Sequence, residues 1–366
     1  MEGIKRSDVL ELQVVITGMH LTPEFGSTLS AIEDDGFGID KKVEMLLRSD
    51  TAVGITKSMG LGMIGFADAF ADLRPDLILM LGDRFEIFCA ATAAMVARIP
   101  VAHLHGGEIT EGLIDDSIRH SISKMSHLHF VATEEYRKRV MQLGENPENI
   151  FNVGGLGLDN IKKLSLLSRD ELERDLGINL LARNLLITFH PVTLEDNAGL
   201  EQLDELLTTL DEMEDTGLIF TMPNADPGNQ AIRDSISLFC ENHVNASLFI
   251  SLGQLRYLSC MSHVDGVIGN SSSGLIEAPG LKKGSVNIGN RQRGRNHASS
   301  VIDCEASDAA IRESLARLFS RDFQRQLQDV VNPYGDGGAS EAIVRLLEKH
   351  PLDNLLKKQF YDVMIP

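Results

Sequence analysis

The chain has 366 residues, 43% of them hydrophobic, which is too long for one ordinary core and predicts two domains. Its 53 acidic against 34 basic residues give a formal charge of -19, a surface that repels a nucleic-acid backbone but leaves room for a small anionic ligand held by local amides and arginines. There is no long uncharged apolar run, and Met1 to Arg6 lacks the apolar core of a leader; the sequence predicts no membrane contact, no export and a cytoplasmic location.

In chain order, Leu12 to Ile16 is the first strand, ending in Thr17-Gly18-Met19-His20. Apolar residues recur at helical spacing from Ala52 to Leu73, until Pro75 stops the pattern. Leu77 to Leu81 is then a continuous apolar run of the buried parallel-strand type. A helix over Glu86 to Ala97, a strand at Val101 to His103, a loop at Gly106 to Glu108 and a helix from Asp115 to Ser126 follow. The first series closes with a strand at Leu128 to Ala132, a helix from Glu134 to Leu143 and a short strand at Phe151 to Val153.

A polar stretch at about 158–183 separates this series from a second one that starts at Leu185 to His190. Strands at Leu218 to Met222, Leu248 to Ile250, Gly266 to Ile268 and Ser285 to Ile288 alternate there with helices at Gln202 to Met213, Asn229 to Cys240, Gln254 to Ser262 and around Ile276. Helices at about 306–317, 339–349 and 353–360 complete the chain. Strands alternating with helices of ten or more residues mean βαβ units. The expected fold is therefore α/β, with two doubly wound parallel-sheet domains at 1–163 and 164–340 and carboxyl-terminal helices at 341–366 packing back on the first. The cysteines, Cys89, Cys240, Cys260 and Cys304, form no CxxC pair, which argues against a zinc knot or a disulfide framework.

With no P-loop and no GxGxxG, the chemistry is sought at strand ends, in a cleft between the domains. Gly269-Asn270-Ser271-Ser272-Ser273-Gly274 follows a strand and opens a helix, so its amides and hydroxyls suit a diphosphate; a plain N-cap explains one serine but not three. Glu277 lies one turn further and suits ribose hydroxyls. Arg291, Arg293 and Arg295 alternate after the next strand, as diphosphate contacts or as a solvated loop.

In the first domain Asp83 stands at a strand's carboxyl edge, and His103, His105 and Glu108 follow the next strand. Asp115, Asp116, Arg119 and His120 open the helix beyond, with 115 and 119, and 116 and 120, on shared faces. Acids and bases gathered at one sheet edge suit proton removal from carbon with protonation of a leaving oxygen. Each also has an ordinary reading: Asp115 or Asp116 as a cap, Asp116 and His120 as a surface pair, His103 as a satisfied core histidine. A metal set of His103, His105 and Glu108 lacks HExxH and nearby cysteines, and no metal is expected. His20 and His190 are placed to face the cleft, and Asn224 and Asp226 sit on a loop that suits substrate or a simple Asx turn.

The combination of Gly82-Asp83-Arg84-Phe85-Glu86, His103-Leu104-His105-Gly106-Gly107-Glu108, the stretch Asp115 to Lys124, Phe189-His190-Pro191-Val192-Thr193 and Gly269 to Gly274, in this order over nearly the whole chain, resembles the hydrolysing UDP-N-acetylglucosamine 2-epimerases of sialic acid biosynthesis. The resemblance implies the two-domain glycosyltransferase-B fold, no cofactor, a homodimer or homotetramer, and conversion of UDP-N-acetylglucosamine and water to N-acetylmannosamine and UDP through 2-acetamidoglucal. It also implies catalytic or sugar-positioning roles for Asp83, Glu108, Asp115 and Arg119, with His20 and His190 lining the cleft. Ser271, Ser272 and Ser273 would hold the diphosphate, Glu277 the ribose and Arg291 a nearby position; to these the positions at strand ends, helix starts and loops add Asp116, His120, Asn224, Asp226 and Asn270 as expected substrate-binding residues. Where some relatives carry a glutamate this chain has His105, a substitute base.

The family's members start with one more strand, ending in a Gly-Thr-Arg or Gly-Ser-Arg loop, and a helix whose end corresponds to Met1 to Arg6; the expected fold therefore lacks that first strand. Four alternatives stand beside the main reading: a hydrolysing epimerase for UDP-2,4-diacetamido-2,4,6-trideoxyglucose, a non-hydrolysing 2-epimerase, a glycosyltransferase of the same fold, and a UDP-sugar-binding protein without turnover.

Overall fold

The computed structural model describes residues 1–22, 28–49, 51–111, 113–192, 197, 199–223 and 229–363. In chain order the elements are α1 Glu2–Lys5, β1 Val15–Thr17, α2 Leu29–Asp34, β2 Lys41–Val43, α3 Ala52–Leu73, β3 Ile78–Leu81, α4 Phe85–Ala97, β4 Val101–Leu104, α5 Asp115–Met125, β5 Leu128–Val131, α6 Glu134–Gln142, β6 Ile150–Asn152 and α7 Leu158–Lys163. They continue with α8 Arg169–Leu176, β7 Arg183–Thr188, α9 Leu200–Asp211, β8 Thr216–Thr221, α10 Asn229–Asn242, β9 Ala246–Phe249, α11 Gly253–His263, β10 Gly266–Gly269, α12 Ser273–Gly280, β11 Gly284–Ile288, β12 Val301–Cys304, α13 Asp308–Leu318, α14 Arg321–Gln326 and α15 Ala339–Lys349. Two compact units result: Met1–Ile109 with Ile114–Asp159 and Gly337–Pro366, and Thr110–Leu113 with Asn160–Asp336. Among the described residues no helix is long and apolar enough to cross a membrane.

In the first unit the described strands form a parallel pair β1-β2 and a parallel sheet β3-β4-β5-β6. One core gathers Val43, Met80, Val101 and Ile122 with Phe66 and Phe70 of α3 and Phe85 and Cys89 of α4. On another side, Ala102, Leu104, Leu128 and Phe130 are buried against Ile343 and Leu347 of α15, each large side chain contributing about 1.5–3 kcal/mol on burial. The stretch at 77–81 departs from the buried strand expected: β4 and β5 are buried throughout, whereas Leu79 and Leu81 of β3 are 37% and 53% exposed. The physical reason is position, because β3 is the sheet's edge and pairs only with β4 among the described residues.

The strand expected at 12–16 is narrower and later, because it pairs where Val15, Ile16 and Thr17 meet Lys41, Lys42 and Val43; β2 has no apolar run to announce it. The helix expected at 353–360 does not form: residues 353–356 make a turn with Asn354 at φ +61, after Pro351, and both features interrupt a helical hydrogen-bond ladder.

The second unit is one parallel sheet of order β12-β11-β10-β7-β8-β9. One face packs on α9, α10 and α13 through Leu203, Leu206, Ile232, Ile236 and Ile311; the other packs on α8, α11 and α12 through Leu172, Cys260, Met261 and Ala278. Strand order reverses between β7 and β10, the switch point at which doubly wound sheets place their ligands, beyond the strands' carboxyl ends.

The first helical amides of α15 receive no cap from Gly338 itself. Asp159 supplies it from the far side of the sequence: Oδ1 accepts from the Gly338 and Ala339 amides (2.6 and 2.9 Å) and Oδ2 from the Ser340 amide (2.7 Å). Burial alone would raise the Asp159 pKa, yet the donors of Ser340, Gly338 and Ala339 outweigh it and the carboxyl sits below its usual range. Its stabilisation is therefore full above the unfolded value near 4 and is lost as pH falls through the depressed folded one. Asp159→Ala is expected to lower the first unit's stability by about 2–3 kcal/mol at neutral pH and to have less effect near pH 3. Urea unfolding at the two pH values checks this, and equal losses at both would contradict the charge-based account.

Candidate active site

In the first unit the residues picked out at 83, 108, 116 and 119 converge on one buried cation. Arg119, on the second turn of α5, is 1% exposed. Its Nη2 pairs with Asp83 Oδ2, and its Nη1 donates to the Glu108 carbonyl (3.0 Å) and to Asp116 Oδ1 (3.2 Å). The sheet explains the meeting: Asp83 follows β3, Glu108 follows β4, and α5 runs back beside β4 with Asp116 one turn ahead of Arg119. An arginine is always charged and its fork serves several acceptors at once, so it offsets carboxylates that would otherwise repel one another.

Glu108 is buried, and its Oε1 receives the Nδ1 proton of His105 (2.9 Å). His105 Nε2 accepts from the Leu156 amide (3.4 Å), so both ring nitrogens are engaged and the proton belongs on Nδ1. His105 holds φ +65 without being glycine, a strained conformation of the kind found at functional sites. His103 is the satisfied core histidine: Nε2 donates to the Gly82 carbonyl (2.8 Å), Nδ1 accepts from Ser123 (3.1 Å), and burial pushes its pKa down to about 4. His120 Nε2 lies 3.6 Å from Asp116 Oδ2, with burial lowering its pKa against the pull of Asp116. Asp115 is half-buried at the first position of α5.

His20 lies in a 3₁₀ turn at Gly18–Leu21 after β1, with Nδ1 against the Thr28 hydroxyl (2.6 Å). Close by is Glu86, which was not singled out from the sequence beyond its motif: its buried carboxylate packs on Gly18 and pairs with Arg84 Nε (3.4 Å). Its place in the first turn of α4 was the available signal.

In the second unit the switch point is built around Asn270, which is fully buried. Its side chain grips the main chain after β7, accepting from the His190 amide (2.7 Å) and donating to the His190 carbonyl (2.8 Å). Its own carbonyl accepts from Arg291 Nη1 (3.1 Å) and Gln292 Nε2 (2.8 Å), and Arg291 Nε donates to the Pro191 carbonyl (3.3 Å). Two of the Arg291 donors thus tie strand ends together, while Arg293 turns to Glu111 (3.3 Å).

The serine turn departs from a plain cap. Ser272, at the N-cap position of α12, makes no side-chain capping bond, and Ser271 Oγ receives only a long bond from the Ser273 amide (3.4 Å). Half-buried hydroxyls at 271–273 accordingly stand at the amino end of a helix where the dipole favours an anion, with Glu277 one turn further in. Tyr257 of α11, absent from the sequence reading, brings its hydroxyl beside Ser273 and Thr188, and burial pushes its pKa up to about 12; spacing along α11 gave no signal for it. Asn224 and Asp226 lie outside the described residues.

These two parallel α/β units give the chain the glycosyltransferase-B-like fold, that of nucleotide-sugar enzymes. The same fold is seen in the UDP-GlcNAc 2-epimerase of Neisseria meningitidis bound to UDP-GlcNAc, with a TM-score of 0.78 at 19% identity, covering 95% of this chain and 94% of that one. The family model described as UDP-N-acetylglucosamine 2-epimerase matches residues 2–348, and the chain belongs to that family. It is 42% identical to the GDP/UDP-N,N'-diacetylbacillosamine 2-epimerase (hydrolyzing) of Campylobacter jejuni, over 98% of this chain and 94% of the relative. It is also 39% identical to the polysialic acid biosynthesis protein P7 of Escherichia coli, over 98% of this chain and 92% of the relative.

Proposed function

We propose that the chain is a hydrolysing 2-epimerase for a UDP-linked 2-acetamido sugar, and that the sugar is N,N'-diacetylbacillosamine. The observation that carries the reaction type is the gathering of Asp83, Asp116 and the Glu108 loop on buried Arg119; the 42% identical relative supports the sugar.

In this reading the serine turn and the amino end of α12 take the diphosphate, Glu277 the ribose, and the Arg119 cluster the sugar. A carboxylate among Asp83, Glu108 and Asp115 removes the C2 proton as the C1–O bond to UDP breaks, leaving the 2-acetamidoglucal. Water then adds across the double bond, hydroxyl to C1 and proton to C2 from the opposite face. The sum is UDP-sugar plus water giving the 2-epimeric free sugar plus UDP. His105 acts by orienting Glu108, and Arg119 by holding Asp83 and Asp116 in place through both steps. A second reading keeps the chemistry and changes the sugar to N-acetylglucosamine, as the description of the family model suggests.

NMR of the products in D2O decides. UDP-N,N'-diacetylbacillosamine should give free UDP and a free manno-configured sugar carrying one deuterium at C2, with kcat/KM at least about tenfold above that for UDP-N-acetylglucosamine. The GDP-linked sugar serves as the nucleotide control. A product that keeps its nucleotide would rule out the hydrolysing reaction; preference for UDP-N-acetylglucosamine would select the second reading.

A further inference from the structure

The helix that bears Asp115, Asp116 and Arg119 at its amino end is gripped at its carboxyl end by a segment beyond residue 348, where the family match stops. Lys358 Nζ donates to the carbonyls of Lys124 (2.8 Å) and Ser126 (2.5 Å) and pairs with Glu145 Oε2 (2.6 Å). Glu145 is buried and also receives Lys124 Nζ (2.7 Å) and His129 Nε2 (3.1 Å). The Phe360 ring lies 4.9 Å from Lys124 Nζ and covers Gly144, which at φ +81 leaves no room for a side chain. The Tyr361 amide then donates to the Gly144 carbonyl (2.9 Å).

Last-turn carbonyls lack intrahelical donors and carry the negative end of the helix dipole. Here two ammonium groups face one carboxylate at that end. Burial lowers the His129 pKa and keeps the ring neutral; burial alone would raise Glu145, but His129, Lys124 and Lys358 bring it to about 2. A net positive charge thus caps α5, and one of its two ammonium groups, that of Lys358, is delivered by the tail. Between the two ends α5 is a continuous helix, with Ile122 buried in the core and Ser123 bonded to His103, so a shift at the carboxyl end moves Arg119 as well.

We infer that residues 358–361 form a strap that sets the position of α5, and that Lys358 is a positioning residue for the epimerase reaction through Arg119 and Asp116. The inference rests on the reading of the first unit's cluster as the reacting site. Misplacing reacting groups by a fraction of an ångström reduces turnover far more than binding.

The test compares Lys358→Met, Lys358→Arg and Tyr361→Pro, the last removing the amide donor to Gly144 together with an exposed side chain and fixing the local backbone. Expected for Lys358→Met are a fall in kcat of about tenfold with KM within about twofold, unchanged UDP affinity, and faster hydrogen exchange of the amides at 115–125. Lys358→Arg should restore most of the kcat, and Tyr361→Pro should give a smaller change of the same kind. Wild-type kcat and wild-type exchange in both Lys358→Met and Tyr361→Pro would overturn the strap; so would equal losses of kcat and UDP affinity in both. If the unmodified protein turned over no UDP-sugar, the functional reading would fail, and the exchange rates at 115–125 would still decide on the strap.

Discussion

Arg119→Met is expected to reduce turnover by about 10²- to 10³-fold, the range seen when a preorganised donor is removed from a reacting centre. The side chain it replaces is 1% exposed and holds Asp83, Asp116 and the Glu108 carbonyl together. With the guanidinium gone, Asp83 and Asp116 lose a shared counter-charge in a partly dry setting. The first unit should lose about 3–5 kcal/mol, as when one member of a buried ion pair is removed. UDP affinity should stay within about twofold, because the serine turn belongs to the other unit. Arg119→Lys should recover stability better than turnover, since an ammonium cannot span the same acceptors with a planar fork. UDP release, urea unfolding and calorimetric UDP titration measure the three quantities. Turnover above about a tenth of wild type in Arg119→Met would show that the cluster is structural and that the chemistry lies elsewhere.

Gly269→Ala should do comparable damage to the second unit by a different route. Gly269 ends β10 at φ +135, and a Cβ there would overlap the Thr188 main chain on the paired strand β7. Neither φ nor the neighbour can yield cheaply, because Thr188 is itself fixed by the ladder and by its hydroxyl bond to Thr221 (2.6 Å). Backbone strain plus the clash should cost more than about 3 kcal/mol. Asn270 follows directly, so its grip on His190 and the aim of the serine turn should go too. The expected result is loss of measurable UDP binding with the first unit's α5 still protected from exchange. Unaltered UDP affinity in a folded Gly269→Ala protein would mean that the switch point does not bind nucleotide.

The alternation of elements could be read from the sequence because it is local. Apolar runs such as Leu185 to Phe189 and Gly266 to Ile268 carry their strand assignment in their own pattern. The same holds for Asp83, Glu108, Asp116 and Arg119, each named from a strand end or a helix start. Other features left no local trace. β2, with two lysines in three residues, is a strand only because β1 pairs with it. Tyr257 looks like any amphipathic-helix residue until α11 sets it beside the serine turn. His105, an open candidate for a base, turns out to have both nitrogens engaged.

By itself, the order of residues determined that this protein has two parallel α/β series, that its candidate site residues stand at strand ends and helix starts, and which family it joins. Only the tertiary structure decided that Arg119 is the common partner of groups at 83, 108 and 116. The same is true of Asp159, which caps a helix at 338–340, and of Lys358, which closes the helix that carries Arg119. Periodicity is written within a few residues, but a buried charge takes whatever partner the finished fold brings within about 3 Å, and that distance in space has no counterpart along the chain.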